Sequence, residues 1–148
     1  IPFECDVIEF SKQLLLSLNF ADSSENHFRF VSSLERYVAK VEVQYLQQVI
    51  LNLLFNADKF TKQGTITLEV SVNESFIEFA VSDTGCGIPQ EKQQVVFERF
   101  IKLNDFAQGT GLGLSICKLI IQKWGGEIWV DPAYSKGARF VFTHPIVK

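Results

Sequence analysis

Two periodicities of apolar and polar residues run along this chain, one near 3.6 residues and one of two. The helical period is clearest in QQVILNLLFNADKFT, residues 47–61, where Val49, Ile50, Leu53, Leu54 and Ala57 share one face with no Gly or Pro among them. It predicts a helix beginning at about Glu42 and ended by Gln63-Gly64. A second helix is predicted from Gly111, with Leu112, Ile116, Leu119 and Ile120 on one side and Gly125-Gly126 as its stop. A third is predicted from Asp6, which can cap it with Glu9 three residues later as in a capping box, through about Leu18. The twofold period is clearest over 65–82. Ile66, Leu68, Val70 and Val72 alternate with polar residues, and after the turn at Asn73-Glu74-Ser75 so do Ile77, Phe79 and Val81. This predicts an antiparallel hairpin with one buried face. Short strands are predicted in HFRFVSS, YVAKV, EIWV and ARFVFTH, and a short helix over 89–97 starting at Pro89. Residues 98–110 are charged, aromatic and irregular. The mixture predicts an α+β fold: a two-layer sandwich, with a mixed, mostly antiparallel sheet and helices on one face.

A length of 148 residues suits one domain with one core, and 47% hydrophobic residues among mixed charges predict a folded chain. A net charge of -3 gives no electrostatic reason to expect nucleic acid. No apolar run reaches the roughly 18 residues needed to cross a bilayer, so no membrane contact is expected of this domain. Cys5, Cys86 and Cys117 are far apart and odd in number, matching no disulfide or metal spacing, as in a reducing compartment. The absence of any Met predicts a segment of a longer chain.

Three polar features interrupt these patterns. In the long helix Asn52, Asn56 and Lys59 are spaced by four and three residues, which puts them on one face. Amide oxygens there can ligate a hard cation and the ammonium can neutralise a phosphate, or the stripe can simply be solvated. In the hairpin Asp83 continues the parity of the buried residues Ile77, Phe79 and Val81, so the inward stripe ends in a carboxylate that needs a donor. An adenine amine would serve; the alternative is an aspartate of the Asp-Thr-Gly turn. Gly85 and Gly87 follow, where a missing Cβ lets backbone approach a flat ligand. In QGTGLGLS, Gly109, Gly111 and Gly113 precede or open a helix, a natural anion site. The loop lacks the strand context of a dinucleotide fold and the GK[ST] ending of a P-loop.

In their order these segments resemble the catalytic and ATP-binding domain of two-component sensor histidine kinases, in the GHKL superfamily of ATPases and kinases. NLLFNADKFT resembles the N box, DTGCGIP the first glycine box, VFERF the phenylalanine box and GTGLGLSICK the second glycine box. The resemblance runs from about Glu42 and implies one domain over 1–148, with the Bergerat fold and a mobile ATP lid at 95–108. It implies ATP and Mg²⁺ as cofactors, with Asn56 as metal ligand, Asn52 supporting that site or contacting the phosphates through water, and Lys59 on a phosphate. It implies Asp83 on the adenine amine, Gly85, Gly87 and Ile88 around the adenine, and Gly109, Thr110, Gly111, Leu112 and Gly113 around the phosphates. Phe97 and Phe100 would be lid hinges. Arg99 and Lys102 fall in the lid; many relatives have arginine where Lys102 stands, and Lys102 is a phosphate contact or a solvated charge.

The implied reaction moves the γ-phosphoryl group to a histidine of a separate dimerisation and phosphoacceptor domain of the same parent, with a response regulator or receiver domain downstream. His27 and His144 lack the expected acidic neighbour of an acceptor and are expected to be structural or surface residues. The implied location is cytoplasmic, with a parent that can be membrane-anchored. Two other readings stand beside this one. ATP-hydrolysing relatives usually carry a glutamate four residues before the metal-binding asparagine, where this chain has Asn52, an amide that cannot take a proton from water. A pseudokinase that binds nucleotide and acts by shape alone would keep the same binding boxes.

Overall fold

A computed structural model describes residues 2–19, 25–98 and 112–146. Its elements are β1 (Phe3–Asp6), α1 (Val7–Asn19), β2 (His27–Ser32), β3 (Val38–Val41), α2 (Val43–Lys59), β4 (Thr65–Val72), β5 (Phe76–Asp83), α3 (Leu112–Lys123), β6 (Ile128–Val130) and β7 (Arg139–Pro145). A five-stranded sheet has the order β2-β4-β5-β7-β6. Only β2 with β4 is parallel; the other pairs of that sheet are antiparallel. The two strands expected before the long helix part company, because β3 pairs with β1 in a separate antiparallel ribbon.

The hairpin supplies the centre of the sheet. Asn73 Oδ1 accepts from the backbone N–H groups of Ser75 and Phe76 and closes its turn. One face of the sheet packs Ile66, Leu68, Val70, Ile77, Phe79, Val81, Phe140 and Phe142 into the core. The Phe79 and Phe142 rings stack across β5 and β7 with centroids 4.6 Å apart. Helix α2 buries Leu46, Val49, Ile50, Leu53, Leu54 and Ala57 in the same core. Each such burial is worth about 1.5–3 kcal/mol, against at most about 0.7 kcal/mol of helix propensity forfeited at each asparagine. Packing therefore holds α2 helical despite Asn52 and Asn56. On the outer face Arg139 bonds Asp131 at 3.0 Å and reaches across β5 to Glu69 on β4 at 3.4 Å.

Four details differ from expectation. Helix α3 buries Cys117, Ile120 and Ile121, while Leu119 is 62% exposed. Its sequence is apolar nearly all round, so periodicity left two admissible faces and the neighbouring α2 selected one. Residues 89–97 make only a three-residue 3₁₀ turn, Gln90–Lys92, followed by turns. Gln93 Nε2 donates to the Ile88 carbonyl, and the tight turns lead into Val96 and Phe97, both buried in the core. Helix α2 ends at Lys59, and the chain then reverses through Gln63 at φ 51°. At α1, Asp6 Oδ1 accepts from Ile8, Glu9 and also Tyr37, whereas Glu9 accepts from Gln13 one turn on. The cap thus ties α1 to the approach of β3.

Candidate functional site

Asp83 closes β5 on its inward parity and is 3% exposed. Both hydrogen bonds to its side chain fall on Oδ1, from Gly85 N–H at 2.9 Å and Ala138 N–H at 3.0 Å. Burial raises its carboxyl above the ordinary value, and these two backbone donors oppose that shift without cancelling it. Because both donors share one oxygen, Oδ2 can accept from a further donor. The Tyr134 hydroxyl donates to the Asp83 backbone carbonyl at 2.7 Å.

Glycines bring the surrounding backbone close. A Cβ on Gly137 would collide with the Asp83 backbone oxygen, and one on Gly85 would collide with the Phe60 carbonyl oxygen. The same Phe60 oxygen accepts from Cys86 N–H at 3.3 Å, so the turn after Asp83 rests on the C-terminal end of α2. Gly87 has φ +73°, a conformation other residues seldom adopt, and Ile88 packs half-buried against the core. Thr61, 4% exposed, lies against Gly85, and its hydroxyl has no hydrogen-bond partner among the described residues.

The polar face of α2 runs up to Phe60, whose N–H bonds the carbonyl of Asn56 one turn earlier at 3.3 Å. Asn52 and Asn56 are half-buried and Lys59 is exposed, its ammonium 5.7 Å from the centroid of the Phe60 ring. Asn52 Nδ2 lies 3.8 Å from Cys117 Sγ on α3. Gly113 stands in the first turn of α3, and a Cβ built there meets nothing within 4 Å among the described residues, unlike one at Gly85 or Gly137. Leu112 begins α3. Phe97 is 6% exposed and packs edge-on against Phe140 at 5.9 Å, a core aromatic at the end of the described segment. Arg99, Phe100, Lys102, Gly109, Thr110 and Gly111 lie outside the described residues.

Among the described residues no group of three His, Cys, Asp or Glu side chains could hold a metal. A resident metal cage is not what the donor set suits. Mg²⁺ that arrives on phosphates keeps most of its waters and needs only one or two protein oxygens, which an asparagine amide can supply. His144 is buried in β7 against Trp124, 4.7 Å between centroids, with Nδ1 2.8 Å from the Pro145 carbonyl. Burial lowers its pKa, with the Pro145 carbonyl and the charge of Glu42 opposing. His27 is exposed at the start of β2. Sequence reasoning missed Ala138, Tyr134, Gly137 and Thr61. Of these only Gly137 carried a signal, as the glycine opening a strand in KGARFVFTHP.

The sequence pattern of the family described as histidine kinase-, DNA gyrase B- and HSP90-like ATPase matches residues 42–148. The adaptive-response sensory kinase SasA of Gloeothece citriformis (strain PCC 7424) is 41% identical over 109 residues, 71% of this chain and 28% of SasA. The catalytic domain of histidine kinase ThkA, nucleotide-free, superposes with a TM-score of 0.88 at 28% identity, over 99% of this chain and 96% of that one. ThkA in complex with response regulator protein TrrA also matches, with a TM-score of 0.84 at 25% identity, over 99% of this chain and 42% of that one. Full-length ShkA in complex with AMPPNP matches with a TM-score of 0.88 at 26% identity, over 99% of this chain and 31% of that one. The chain spans less than a third of the length of SasA.

Proposed function

This chain belongs to the histidine kinase-, DNA gyrase B- and HSP90-like ATPase family, and from that premise we propose that it is, over residues 1–148, the ATP-binding, phosphoryl-donating domain of a two-component sensor histidine kinase. One observation carries the reading: the inward carboxylate of Asp83 and the asparagine face of α2 are joined through a single backbone junction, at Phe60 and Gly85. An acceptor for adenine and donors for a phosphate-bound metal therefore sit on one connected frame. That ShkA takes AMPPNP and that ThkA pairs with a response regulator supports the same assignment.

In this reading Asp83 Oδ2 accepts from the adenine amine, with Gly85, Gly87 and Ile88 forming the walls. Asn56 holds the Mg²⁺, Asn52 supports it, and Lys59 meets a phosphate. Gly113 and Leu112, with Gly109, Thr110 and Gly111, cradle the phosphate chain at the N-terminus of α3, where the helix dipole favours anions. Phe97 anchors the lid, to which Arg99, Phe100 and Lys102 belong. Mg²⁺ bound there would supply charge neutralisation on the β- and γ-phosphates. The chain's own groups orient the γ-phosphorus toward an imidazole of the parent's phosphoacceptor domain. That nitrogen forms the new N–P bond as the bond to the bridging oxygen breaks and ADP leaves. This reading takes neither His27 nor His144 as the acceptor: neither has the acidic neighbour expected of one, and His144 is packed against Trp124. No described helix is long and apolar enough to cross a membrane, and the domain is assigned to the cytoplasmic side of its parent.

The test has two parts. The chain alone binds AMPPNP with Mg²⁺ by calorimetry and gains no label from γ-³²P ATP. Addition of the parent's phosphoacceptor domain then yields acid-labile phosphohistidine, which passes to a receiver domain. Label on His27 or His144, or steady release of phosphate by the chain alone, would overturn the assignment.

A further inference from the structure

Asn52 has two ends with opposite chemistry. Its amide nitrogen can donate to a phosphate, while its oxygen can only accept, from a water or from a metal's hydration shell. The face it shares with Asn56 does not say which end is presented. The packing of α2 on α3 does. Cys117 is fully buried and its Sγ lies 3.8 Å from Asn52 Nδ2 and 3.9 Å from the Val49 carbonyl oxygen. A carbonyl accepts only, so the S–H points at Val49 and the sulfur lone pairs face the Asn52 amine. Burial pushes the Cys117 thiol up to about 12, so the S–H proton stays in place at physiological pH. The amide is planar, and with its nitrogen held on the thiol its oxygen turns away from α3.

We infer that Cys117 is a positioning residue that fixes the Asn52 amide with its nitrogen buried and its oxygen presented, so that Asn52 serves the hydrated metal rather than donating to the phosphates. This deepens the ATP-site reading of the preceding section and rests on it. A direct bond from the Asn52 amide nitrogen to a phosphate is thereby closed, and what the oxygen can accept from is water. Valine or alanine at 117 would remove the acceptor, and the amide could then flip. Serine keeps a donor and an acceptor, but its shorter side chain places the oxygen farther from Val49 and Asn52 than the sulfur stands, so it restores the relay only in part.

The experiment measures AMPPNP affinity by calorimetry, with Mg²⁺ and with EDTA, for wild type, Cys117→Ala, Cys117→Ser, Asn52→Ala and the Asn52→Ala/Cys117→Ala pair. Cys117→Val keeps the site filled and replaces Cys117→Ala should the smaller side chain prevent folding. One lost hydrogen bond predicts that Cys117→Ala weakens binding about three- to tenfold with Mg²⁺ and leaves the EDTA value unchanged. Cys117→Ser loses no more than Cys117→Ala, and the double variant binds no more weakly than Asn52→Ala. Equal losses with and without Mg²⁺, no loss at all, or a Cys117→Ala effect that persists in the Asn52→Ala background would each overturn the inference. A wild-type chain that fails to bind AMPPNP would instead overturn the nucleotide reading, and this inference with it.

Discussion

Asp83 and Ala138 hold one another in both directions: Asp83 N–H donates to the Ala138 carbonyl at 2.8 Å, and Ala138 N–H donates back to Asp83 Oδ1 at 3.0 Å. They stand one pair beyond the last register pair of β5 and β7, Ser82 with Arg139. In a regular antiparallel ladder the return bond would go to the Asp83 backbone carbonyl. Here the side chain takes that bond and the freed carbonyl accepts from Tyr134. Among the described residues the buried carboxylate is thus held by backbone donors on one oxygen, and the other can accept a further hydrogen bond.

Asp83→Asn keeps the oxygen that Gly85 and Ala138 need but places an amine where the free oxygen stood. It is expected to fold, with a melting temperature close to wild type, and to bind AMPPNP at least about tenfold more weakly, the usual cost of losing a bond to a charged acceptor. Wild-type affinity in this variant would remove Asp83 from the adenine contact. Protonation gives a second readout. Burial raises the Asp83 carboxyl above its ordinary 3.8. In that window the folded state binds the proton more tightly than the unfolded chain, so ligand-free stability falls as pH rises. If Asp83 takes the adenine amine as proposed, the ionised form is the better acceptor, and affinity is expected to rise with pH through the same window. Urea midpoints and titrations from pH 4 upward, each taken as the difference between wild type and Asp83→Asn so that slopes from other groups such as His144 cancel, should show the two opposite slopes.

Asn56→Ala should leave the fold intact, since the residue is half-buried on the polar face of α2 and alanine is a better helix former. The affinity gained on adding Mg²⁺ should disappear. Calorimetry with and without EDTA decides it, and an unchanged Mg²⁺ effect would take the metal away from this residue.

Gly113 and Gly85 should respond to alanine in opposite ways. At Gly113, in the first turn of α3, a Cβ meets nothing within 4 Å among the described residues, so alanine should stabilise the fold by at most about 0.5–1 kcal/mol while impairing nucleotide binding. At Gly85 the Cβ would meet the Phe60 carbonyl, and alanine should destabilise by about 1–3 kcal/mol. Thermal melts of both, beside AMPPNP titration of Gly113→Ala, separate a glycine kept for a ligand from one kept for the chain.

His144 should make the fold acid-sensitive. Its pKa is lowered by burial, so below the ordinary 6.5 the unfolded chain takes up the proton first and stability falls as pH falls. Urea midpoints at pH 7.5 and 5.5 should differ more for wild type than for His144→Phe; equal differences would assign the acid loss to other groups.

Much of this was legible in the residues themselves. Val49, Ile50, Leu53, Leu54 and Ala57 are the buried face of α2 as their spacing requires, and the strand parity that carries Ile77, Phe79 and Val81 inward carries Asp83 with them. These follow from local geometry, since 3.6 residues per turn and alternation along a strand assign a face with no knowledge of the neighbour.

What the neighbour decides could not be read that way. Cys117, Ile120 and Ile121 face inward on α3 because α2 lies on that side, although Leu119 is as apolar as they are. The acceptor for Ala138 N–H is 55 residues away, the thiol on Asn52 is 65 away, and β2 lies parallel to β4 across the whole of α2. Local sterics and hydrophobicity dictate which faces exist; contacts between distant segments form only when the core closes, and that closure chose the partners of Asp83 and Asn52.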